Sequence, residues 1–440
     1  MFVFLLQLRD TLSSGRVYLF TIFVALVWIG WFRRVQLSRR YRPYTDEVDL
    51  TTSVIIPVVD EPEELFDEVL RRIVAQGPDE VIVVINGPRN EPLERICDRF
   101  ERVTWRWTEV PGKRNALRVG VEHMLGDIAV LVDSDTIWTP TTLPELLKPF
   151  ADPRIGGVTT RQHILAQDRH VLTRWADWME SVRNEYSMPA MSVLGTVGCL
   201  PGRTIAFRRE VLVNAMPGFL GARFLGIFLE VSDDRTLTNE ALKQGYRTVY
   251  QSTSEVYTDA PTTWKKMAKQ QLRWARGSQY NTARMLPWML VHARTLAFFY
   301  ICDIVNPFLL LCTMTGWFLR STQGGTPDLY GAFVGHYGRT IALALMVTMS
   351  VVMSTASSAV RQSRHLRRRP DDLLRLPAFI LISTFFLMPI RLLGFTRMGH
   401  DSGWGTRSGG YSGERNRNYL AVIPYLVAVA LVVAGTVLPA

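Results

Sequence analysis

Long apolar stretches flank one extended region of mixed polarity in this chain of 440 residues. A membrane-spanning helix needs about 20 consecutive, mostly apolar residues. Four stretches approach that length, so the pattern predicts several transmembrane helices. They cover residues 17–32, 296–319, 340–360 and 419–438.

The first stretch is short, and residues 1–8 offer further apolar length. A cleaved signal peptide is the alternative for this segment. We disfavour it because Arg33 and Arg34 follow, where a signal peptide has a cleavage site of small residues.

Basic residues exceed acidic ones, 50 Lys and Arg against 40 Asp and Glu, and the excess of +10 lies beside the apolar stretches. More arginines follow the first stretch than precede it, so the positive-inside rule predicts that residues 33 onward are cytoplasmic. A second cluster predicts the same side for the loop after the third stretch. Nucleic-acid binding is the alternative, but the juxtamembrane position favours lipid headgroups. These arginines are Arg9 and Arg16, then Arg33, Arg34, Arg39, Arg40 and Arg42, and then Arg361, Arg364, Arg367, Arg368 and Arg369.

Residues 43–295 are long enough for one sizeable soluble domain. Short β-branched runs alternate there with stretches of helical period, which predicts an α/β fold with a mostly parallel sheet. Ligands of such sheets gather at the carboxyl ends of the strands. The cysteines share no metal-ligand spacing and are predicted to be free thiols. The predicted strands are 53–59, 80–85, 127–132 and 155–160, the predicted helices include 61–75 and 113–125, and the cysteines are Cys97, Cys199, Cys302 and Cys312.

Three polar motifs in this region indicate a sugar-transfer site. Asp133 and Asp135 follow the third predicted strand. Their two carboxylates are oxygen ligands of the kind that a divalent ion prefers, and such an ion can neutralise the phosphates of a nucleotide. The sequence SDDR at 232–235 holds a further acid that can serve as a general base. In QQLRW at 270–274, the arginine suits a leaving diphosphate and the tryptophan a stacked sugar ring.

Seven motifs between about residue 50 and residue 410 resemble those of processive family-2 glycosyltransferases of the hyaluronan synthase, chitin-oligomer synthase and cellulose synthase type. A DxD or an RW pair alone is unspecific, whereas the whole set in the family's order is specific. The resemblance implies an α/β GT-A-type (Rossmann-like) cytoplasmic glycosyltransferase domain combined with an α-helical transmembrane region and interfacial helices. The motifs are SVIIPVVDE (53–61), PGKRNAL (111–117), DSD (133–135), CLPGRTIAFRRE (199–210), SDDRTLTN (232–239), PTTWKKMAKQQLRWARGS (261–278) and WGTR (404–407).

Carried onto this chain residue by residue, the resemblance implies a nucleotide-binding set. Pro57 and Glu61 would border the nucleoside, and Lys113 would hold the diphosphate together with Arg114. A pair of carboxylates would place the nucleotide with its Mg²⁺ or Mn²⁺. A solvated loop acid or a helix cap is the alternative for either carboxylate taken alone. The pair is Asp133 and Asp135, and the nucleotide set also includes Asn86, Gln270, Arg273, Trp404 and Arg407.

The same resemblance implies the catalytic residues. Asp234, with Asp233 beside it, would be the base that takes the proton from the acceptor hydroxyl, with inversion at the anomeric carbon. Arg273 would pair with the diphosphate as negative charge develops on that group, and Trp274 would lie beneath the acceptor sugar. An N-terminal helix cap is the alternative for 232–234, and both roles can hold. A basic amphipathic helix resting on lipid is the alternative for the stretch around Arg273.

Two further segments match the family. Cys199, Gly202 and Arg203 match its acceptor-side loop, and Trp404 and Arg407 lie in a segment that resembles the gating loop.

The gating role requires the cytoplasmic face. The apolar segment 376–395 would then enter and leave the membrane on one side, so we predict an interfacial or re-entrant helix that contains Pro377 and Pro389. A fifth spanning helix is the alternative for this segment, and a flexible linker is the alternative for the loop.

Two departures from the family pattern matter. Many relatives carry Asp-Asp-Gly after the second strand, where this chain has Ile85-Asn86-Gly87. The uracil preference that the family implies is therefore less secure. The hyaluronan branch has two spanning helices before the catalytic domain, whereas we predict one before it and three after it.

The expected function is that of an inverting, metal-dependent transferase of the cell membrane that extends a β-linked polysaccharide from a nucleotide sugar, expected to be UDP-linked, and exports it. A non-processive transferase that acts on a lipid or lipid-linked acceptor is one alternative. A non-catalytic membrane scaffold is another, and the intact acidic motifs argue against it. The expected partners are the nucleotide sugar, a polysaccharide or lipid-linked acceptor and membrane lipids, with no nucleic acid.

This interpretation divides the chain into six segments. They are 1–42, the N-terminal transmembrane helix and its basic flank; 43–260, the cytoplasmic catalytic domain; 261–295, the interfacial helices; 296–360, a transmembrane helix pair; 361–418, the basic loop, the interfacial or re-entrant helix and the gating loop; and 419–440, the C-terminal transmembrane helix.

Overall fold

A computed structural model describes residues 2–15, 17–228, 230–323, 329–400 and 418–437 of the chain. Two compact units make it up, and each is described by itself. One comprises Arg34–Leu296 and Gly399–Ala421, and the other comprises Met1–Arg33, Ala297–Met398 and Val422–Ala440.

Strands and helices alternate through the first unit. The strands are β1 (Thr52–Val58), β2 (Glu80–Asn86), β3 (Val103–Thr108), β4 (Ile128–Val132), β5 (Ile137–Trp138), β6 (Ile155–Ile164), β7 (Thr204–Arg208), β8 (Arg223–Phe224), β9 (Ile227–Phe228) and β10 (Arg247–Thr258). Helices are numbered in chain order, and α1 (Phe2–Ser14) belongs to the second unit, while α2 (Leu19–Ser38) begins in the second unit and ends in the first. The helices of the first unit are α3 (Glu63–Val74), α4 (Glu91–Cys97), α5 (Lys113–His123), α6 (Thr142–Leu147), α7 (Val171–Val182), α8 (Met188–Val193), α9 (Arg209–Leu220), α10 (Asp233–Lys243) and α11 (Trp264–His292).

The described residues of this unit form an eight-stranded mixed sheet in the order β3-β2-β1-β4-β7-β6-β10-β5. Strands β3, β2, β1 and β4 are parallel, and so are β6 and β10. Strand β7 runs antiparallel to both of its neighbours, and β5 runs antiparallel to β10. Because β7 is reversed against both β4 and β6, strand β6 points in the same direction as β4, so six of the eight strands run in one direction and the prediction of a mostly parallel sheet is confirmed.

Helices cover both faces of the sheet, which explains why β1 is a continuous apolar run. Residues Val54, Ile56 and Val58 of β1 share a core with α3. The buried residues of α3 recur at positions i, i+3, i+4 and i+7, the spacing of one helix face. They are Phe66, Val69, Leu70 and Ile73. On the other face, Gly120 of α5 packs against Ile55, the intervening residue of β1.

The carboxyl ends of the parallel strands place several loops at one edge of the sheet. Glu61 follows β1, Asn86 ends β2, and Asp133 follows β4. Because β7 runs in the opposite direction, its first residue pairs with the last residue of β4, and the Asp133 amide donates to the Arg203 carbonyl at 3.0 Å. The loop that enters β7 therefore lies at the same edge.

The second unit is helical. Its long helices meet within the unit: the indole of Trp31 donates to the Arg361 carbonyl at 2.8 Å, and the Phe308 and Phe395 rings meet edge to face at 5.1 Å. A π-helical turn, Ser383–Leu387, joins two of the helices without a break. The helices are α12 (Arg294–Gln323), α13 (Leu329–Tyr337), α14 (Arg339–Arg361), α15 (Ser363–Arg368), α16 (Asp372–Ile382), α17 (Met388–Thr396) and α18 (Ile423–Val437), of which α12 begins in the first unit.

Four helical stretches in the described residues are long and apolar enough to cross a membrane: Leu19–Ser38, Arg294–Gly316, Arg339–Arg361 and Asp372–Thr396. The first three match predicted spans. The fourth contains the segment predicted to be interfacial or re-entrant, so that its path in the membrane stays a prediction. The last predicted span is a shorter apolar helix, Tyr419–Gly435.

Candidate functional site

Three predicted residues converge on Gly202 at the edge of the sheet. A Cβ added to Gly202 would lie 3.4 Å from Asp234 Cβ, 3.6 Å from Lys113 Nζ and 3.9 Å from Asp133 Oδ2. The Lys113 ammonium pairs with Asp133 Oδ1, and Pro57 lines the same cavity. A side chain at position 202 would occupy the space between these charges, so glycine keeps the cleft open.

Neighbouring carboxylates stabilise the charge of Lys113. Burial alone would lower the pKa of the Lys113 ammonium, but Asp133 and Asp233 outweigh burial and raise it. Lys113 is therefore cationic at neutral pH and lies at the first turn of α5. An ammonium in such a cleft is suited to binding a phosphate group.

Asp234 is the half-buried carboxylate of the cleft. Its Oδ1 accepts from the Arg235 backbone amide at 2.7 Å and from Ser232 Oγ at 3.2 Å. Its Oδ2 accepts from the Gly202 amide at 3.3 Å and lies 3.8 Å from Cys199 Sγ. Burial raises the pKa of Asp234, and the Arg235 amide and Lys113 oppose that rise only in part. A carboxylate with a raised pKa is suited to taking up a proton.

Asp233 lines the same cavity as Asp234, but its carboxylate is paired with a buried guanidinium. Its Oδ1 pairs with Arg114 Nε at 2.7 Å, and the Arg114 guanidinium also donates to the Phe219 carbonyl at 2.7 Å and lies 4.8 Å from the centre of the Phe219 ring. Arg114 is only 2% exposed. The structure therefore gives Asp233 and Arg114 a buried ion pair, and it brings only Lys113 of the predicted diphosphate pair to the cleft.

Two other predicted residues tie the loops of the edge together. Glu61 Oε1 accepts from Ser134 Oγ, the middle residue of the DSD motif, at 2.6 Å. Asn86 donates from Nδ2 to the Val58 carbonyl at 3.0 Å and accepts at Oδ1 from the Gly112 amide at 3.1 Å. Both ends of the Asn86 amide are thus used to hold β1 and the turn before Lys113.

Arg203 lies beside the cleft on the loop that enters β7. Its Nη1 donates to Gln162 Oε1 at 2.8 Å and to Glu180 Oε1 at 3.3 Å. Burial lowers the pKa of Arg203 although Glu180 opposes it. Arg203 is thus held by protein groups next to the predicted acceptor residues Cys199 and Gly202.

Helix α11 carries the remaining predicted site residues that the structure describes. Arg273 faces the carboxylates of the cleft, but burial outweighs them and lowers the pKa of its guanidinium. Its Nε–H is buried and has no hydrogen-bond partner among the described residues. Trp274 is 40% exposed, and Gln270 is half-buried one turn earlier. A buried guanidinium with an unused donor favours an anionic ligand.

Helix α11 comes close to the start of α10 where Gly277 contacts Ser232. A Cβ at Gly277 would come within 2.5 Å of Ser232 Cβ, so only glycine fits at that approach. Ser232 itself has a left-handed backbone with φ +62°, and it makes no side-chain capping bond to α10. Both residues lie in predicted motifs, but the close approach of the two helices was not predicted. A glycine within a helical pattern is the signal that would have pointed to Gly277.

The predicted metal ligands, Asp133 and Asp135, suit a cation that is held partly by the phosphates of a bound substrate. Within the described residues, no three His, Cys, Asp or Glu side chains are grouped so that they alone could hold a metal ion. Asp133 and Asp135 supply two carboxylates, and Mg²⁺ is commonly bound by one or two carboxylates plus substrate phosphates. Trp404 and Arg407 of the predicted gating loop lie outside the described residues.

Comparisons with known proteins agree with the motifs. Residues 50–277 match the family described as Glycosyltransferase like family 2. The chain is 27% identical to a hyaluronan synthase of Streptococcus pyogenes over 386 residues, which cover 85% of this chain and 87% of that protein. It is 28% identical to an N-acetylglucosaminyltransferase of Azorhizobium caulinodans over 320 residues, which cover 70% and 76%. The resemblance predicted from the motifs is confirmed.

A solved structure resembles the fold. It is the mannosyltransferase PcManGT from Pyrobaculum calidifontis in complex with GDP-Man and Mn2+, with a TM-score of 0.55 and 19% identity. The similarity covers 84% of this chain and 99% of that chain. The predicted GT-A-type fold is confirmed.

The role of Asn86 can be tested with Asn86→Asp. A carboxylate at this buried position would face the Val58 carbonyl and lose a donor. We expect a loss of about 1–3 kcal/mol in the free energy of unfolding, seen as a lower melting temperature. Nucleotide binding should weaken as well, because repulsion from the Val58 carbonyl would displace the side chain that also holds the turn before Lys113.

The matched control for this test is Asn90→Asp. Asn90 caps α4 through an oxygen that accepts from the Leu93 amide at 3.3 Å, and aspartate serves equally well as a cap. Asn90 also donates to a carbonyl, that of Val59, but at the longer distance of 3.4 Å and from a half-buried position. Asn90→Asp should therefore lower the melting temperature much less than Asn86→Asp. A stable Asn86→Asp variant with tighter, uridine-selective nucleotide binding would show instead that position 86 contacts the base.

Proposed function

This chain belongs to the family described as Glycosyltransferase like family 2, and we propose that it is an inverting polysaccharide synthase of the membrane. In this proposal it transfers a sugar from a UDP-linked donor to the end of a growing β-linked polymer, which it also secretes. The similarity to a hyaluronan synthase over 85% of the chain supports a product of this class.

One observation carries the proposal. Around Gly202, a carboxylate with a raised pKa, Asp234, lies beside the Lys113 ammonium, while Arg273 has a buried donor without a partner among the described residues. A sugar nucleotide needs such a set, because its transfer requires cationic groups for the departing diphosphate and a base for the incoming hydroxyl.

The donor would bind through its diphosphate. Lys113 and Arg273 would stabilise the negative charge that grows on the leaving group, and Asp133 and Asp135 would hold a Mg²⁺ or Mn²⁺ ion. When bound, such an ion neutralises phosphate charge. Pro57 and Glu61, at the end of β1, would border the nucleoside.

The acceptor would approach from the side of Cys199 and Gly202, over Trp274. Asp234 would take the proton from its hydroxyl as the oxygen bonds to the anomeric carbon and the bond from that carbon to the phosphate oxygen breaks. Attack and departure occur on opposite faces, so the configuration inverts. The proton ends on Asp234, and the electron pair leaves with the nucleoside diphosphate.

The membrane arrangement is part of the proposal. We propose a multi-pass protein of the cell membrane with residues 43–260 in the cytoplasm, an interfacial segment at 261–295 and spanning helices at 1–42, 296–360 and 419–440. Residues 361–418 would carry the basic loop, the non-spanning helix and the gating loop. A non-processive transferase for a lipid-linked acceptor is the alternative function, and the size of the product distinguishes the two.

The experiment that tests the function is incubation of the purified protein with a panel of nucleotide sugars and Mg²⁺ or Mn²⁺. The product would be sized by gel and digested with linkage-specific glycosidases. We expect a long β-linked polymer. A single sugar added to a lipid would support the alternative, and no transfer from any donor would refute the proposal.

Asp234→Asn should keep nucleotide binding and lose turnover by about 10²–10⁴, the contribution of a positioned base. Asp233→Asn should instead lower the melting temperature, because it removes the charge that pairs with buried Arg114. A parental turnover rate in Asp234→Asn would exclude this residue as the base.

The pH dependence of the parent provides a second measure of the same base. The base must be ionised to act, and burial raises the pKa of Asp234. The value of kcat/KM should therefore fall as the pH drops through that raised pKa, at a higher pH than the ordinary value of about 4 for aspartate would give. Activity that is constant down to pH about 4 would contradict this assignment.

Asp135→Ala should weaken nucleotide binding in the presence of Mn²⁺ and leave metal-free binding almost unchanged. The reason is that the variant removes one of the two carboxylates proposed to hold the ion. Calorimetry with UDP measures both affinities, one in the presence and one in the absence of Mn²⁺. Equal affinities of parent and variant with Mn²⁺ would count against the metal site.

The topology can be tested with a cysteine at position 408. If the segment around Trp404 and Arg407 closes over the nucleotide, the cysteine in Ser408→Cys should react only with reagents that reach the cytoplasm, and nucleotide should slow the reaction. Native cysteines are replaced first so that the label reports one site. Reaction from outside intact cells would show that residues 376–395 span the membrane.

A further inference from the structure

Buried polar side chains join α10 to α11. Arg235 is 2% exposed and donates from Nη1 to the carbonyl and hydroxyl oxygens of Ser278 at 2.7 and 2.6 Å. Its Nη2 donates to Thr282 Oγ1 at 2.7 Å. A planar guanidinium fixes the directions of its donors relative to one another. Arg235 therefore sets the position of the two helices as well as joining them.

The surrounding contacts allow one register of the helices. Asn281 Oδ1 accepts from Asn239 Nδ2 at 3.1 Å, and Gly277 lies so close to Ser232 that no Cβ would fit. Buried polar groups lose free energy when they are moved away from their partners. A shift of α10 along α11 would therefore break several hydrogen bonds together.

Each helix carries one residue of the proposed reaction next to this contact. Asp234 directly precedes Arg235 and accepts from the Arg235 backbone amide at 2.7 Å. Arg273 precedes Ser278 on α11 by five positions, about 7.5 Å along a helix with a rise of 1.5 Å per residue. The register of the two helices thus sets the place of the carboxylate relative to the guanidinium.

We propose that Arg235 is a positioning residue, which holds Asp234 and Arg273 at the separation that sugar transfer requires. The inference rests on the proposed function. Arg235 itself would contact neither donor nor acceptor. A displacement of about 1 Å at a reacting centre can lower a rate about 10²-fold, so the loss of Arg235 acts on turnover through geometry.

Two kinds of variant test this role. Arg235→Lys keeps the charge but cannot bond Ser278 and Thr282 together. The double variant Ser278→Ala, Thr282→Val leaves Arg235 in place and removes two of its hydrogen-bond acceptors. It provides the test if Arg235→Lys does not fold. We expect either change to lower kcat about 10- to 100-fold, with little change in the affinity for UDP and Mn²⁺ measured by calorimetry.

Arg208→Lys is the matched control. Arg208 donates from Nε to the Ile155 carbonyl at 2.9 Å and from Nη2 to the Phe150 carbonyl at 2.7 Å. It is the last residue of β7, about 13 Å along the strand from Thr204 at 3.3 Å per residue, and so lies at the end of β7 remote from Gly202. Its substitution should lower the melting temperature but leave kcat per folded molecule unchanged.

A double-mutant cycle decides between positioning and mere stabilisation. If Arg235 acts through Asp234, Arg235→Lys should lower kcat far less in the Asp234→Asn background than in the parent. An equal fold-loss in both backgrounds, or a loss of UDP affinity in parallel with kcat, would show that Arg235 is only structural, and the proposed function would stand. If Asp234→Asn alone keeps parental turnover, the proposed base is wrong and the inference fails with it.

Discussion

The site depends on holding four carboxylates together in and beside one partly buried cleft. All four influence the pKa of the Arg273 guanidinium. Like charges this close cannot all stay ionised in a low dielectric unless cations face them. Lys113 faces one of the four at the cleft, and Arg114 faces another in the protein interior. The four are Asp133, Asp135, Asp233 and Asp234.

This arrangement divides the work between neighbouring acids. Both acids border the cavity, but the charge of Asp233 is balanced by the buried Arg114 guanidinium, whereas burial raises the pKa of Asp234. Two adjacent residues of one helix terminus thus have different environments. The raised pKa of Asp234 suits this one of the two acids to taking up a proton.

The sequence predicted the parts of the fold that are determined locally. The strands found as β1, β2, β4 and β6 begin within one residue of their predicted starts, because β-branched runs buried on both faces fit few other structures. The insertion of β7 against its neighbours depends on distant parts of the chain, and no local pattern revealed it. The site follows the same division. Lys113 and Arg114 were predicted to act together, but successive residues of a helix point about 100° apart, so one faces the cleft and the other the core.

In the proposed reaction, Ser232 would balance stability against activity. A left-handed backbone costs a serine about 1–2 kcal/mol, and glycine avoids this strain. Glycine would therefore stabilise the start of α10, yet it would remove the hydroxyl that donates to Asp234 at 3.2 Å. Selection for stability alone would favour glycine at this position, and selection for the reaction would favour serine. The strained serine is thus a site where a more heat-resistant variant of this protein is expected to be a slower one.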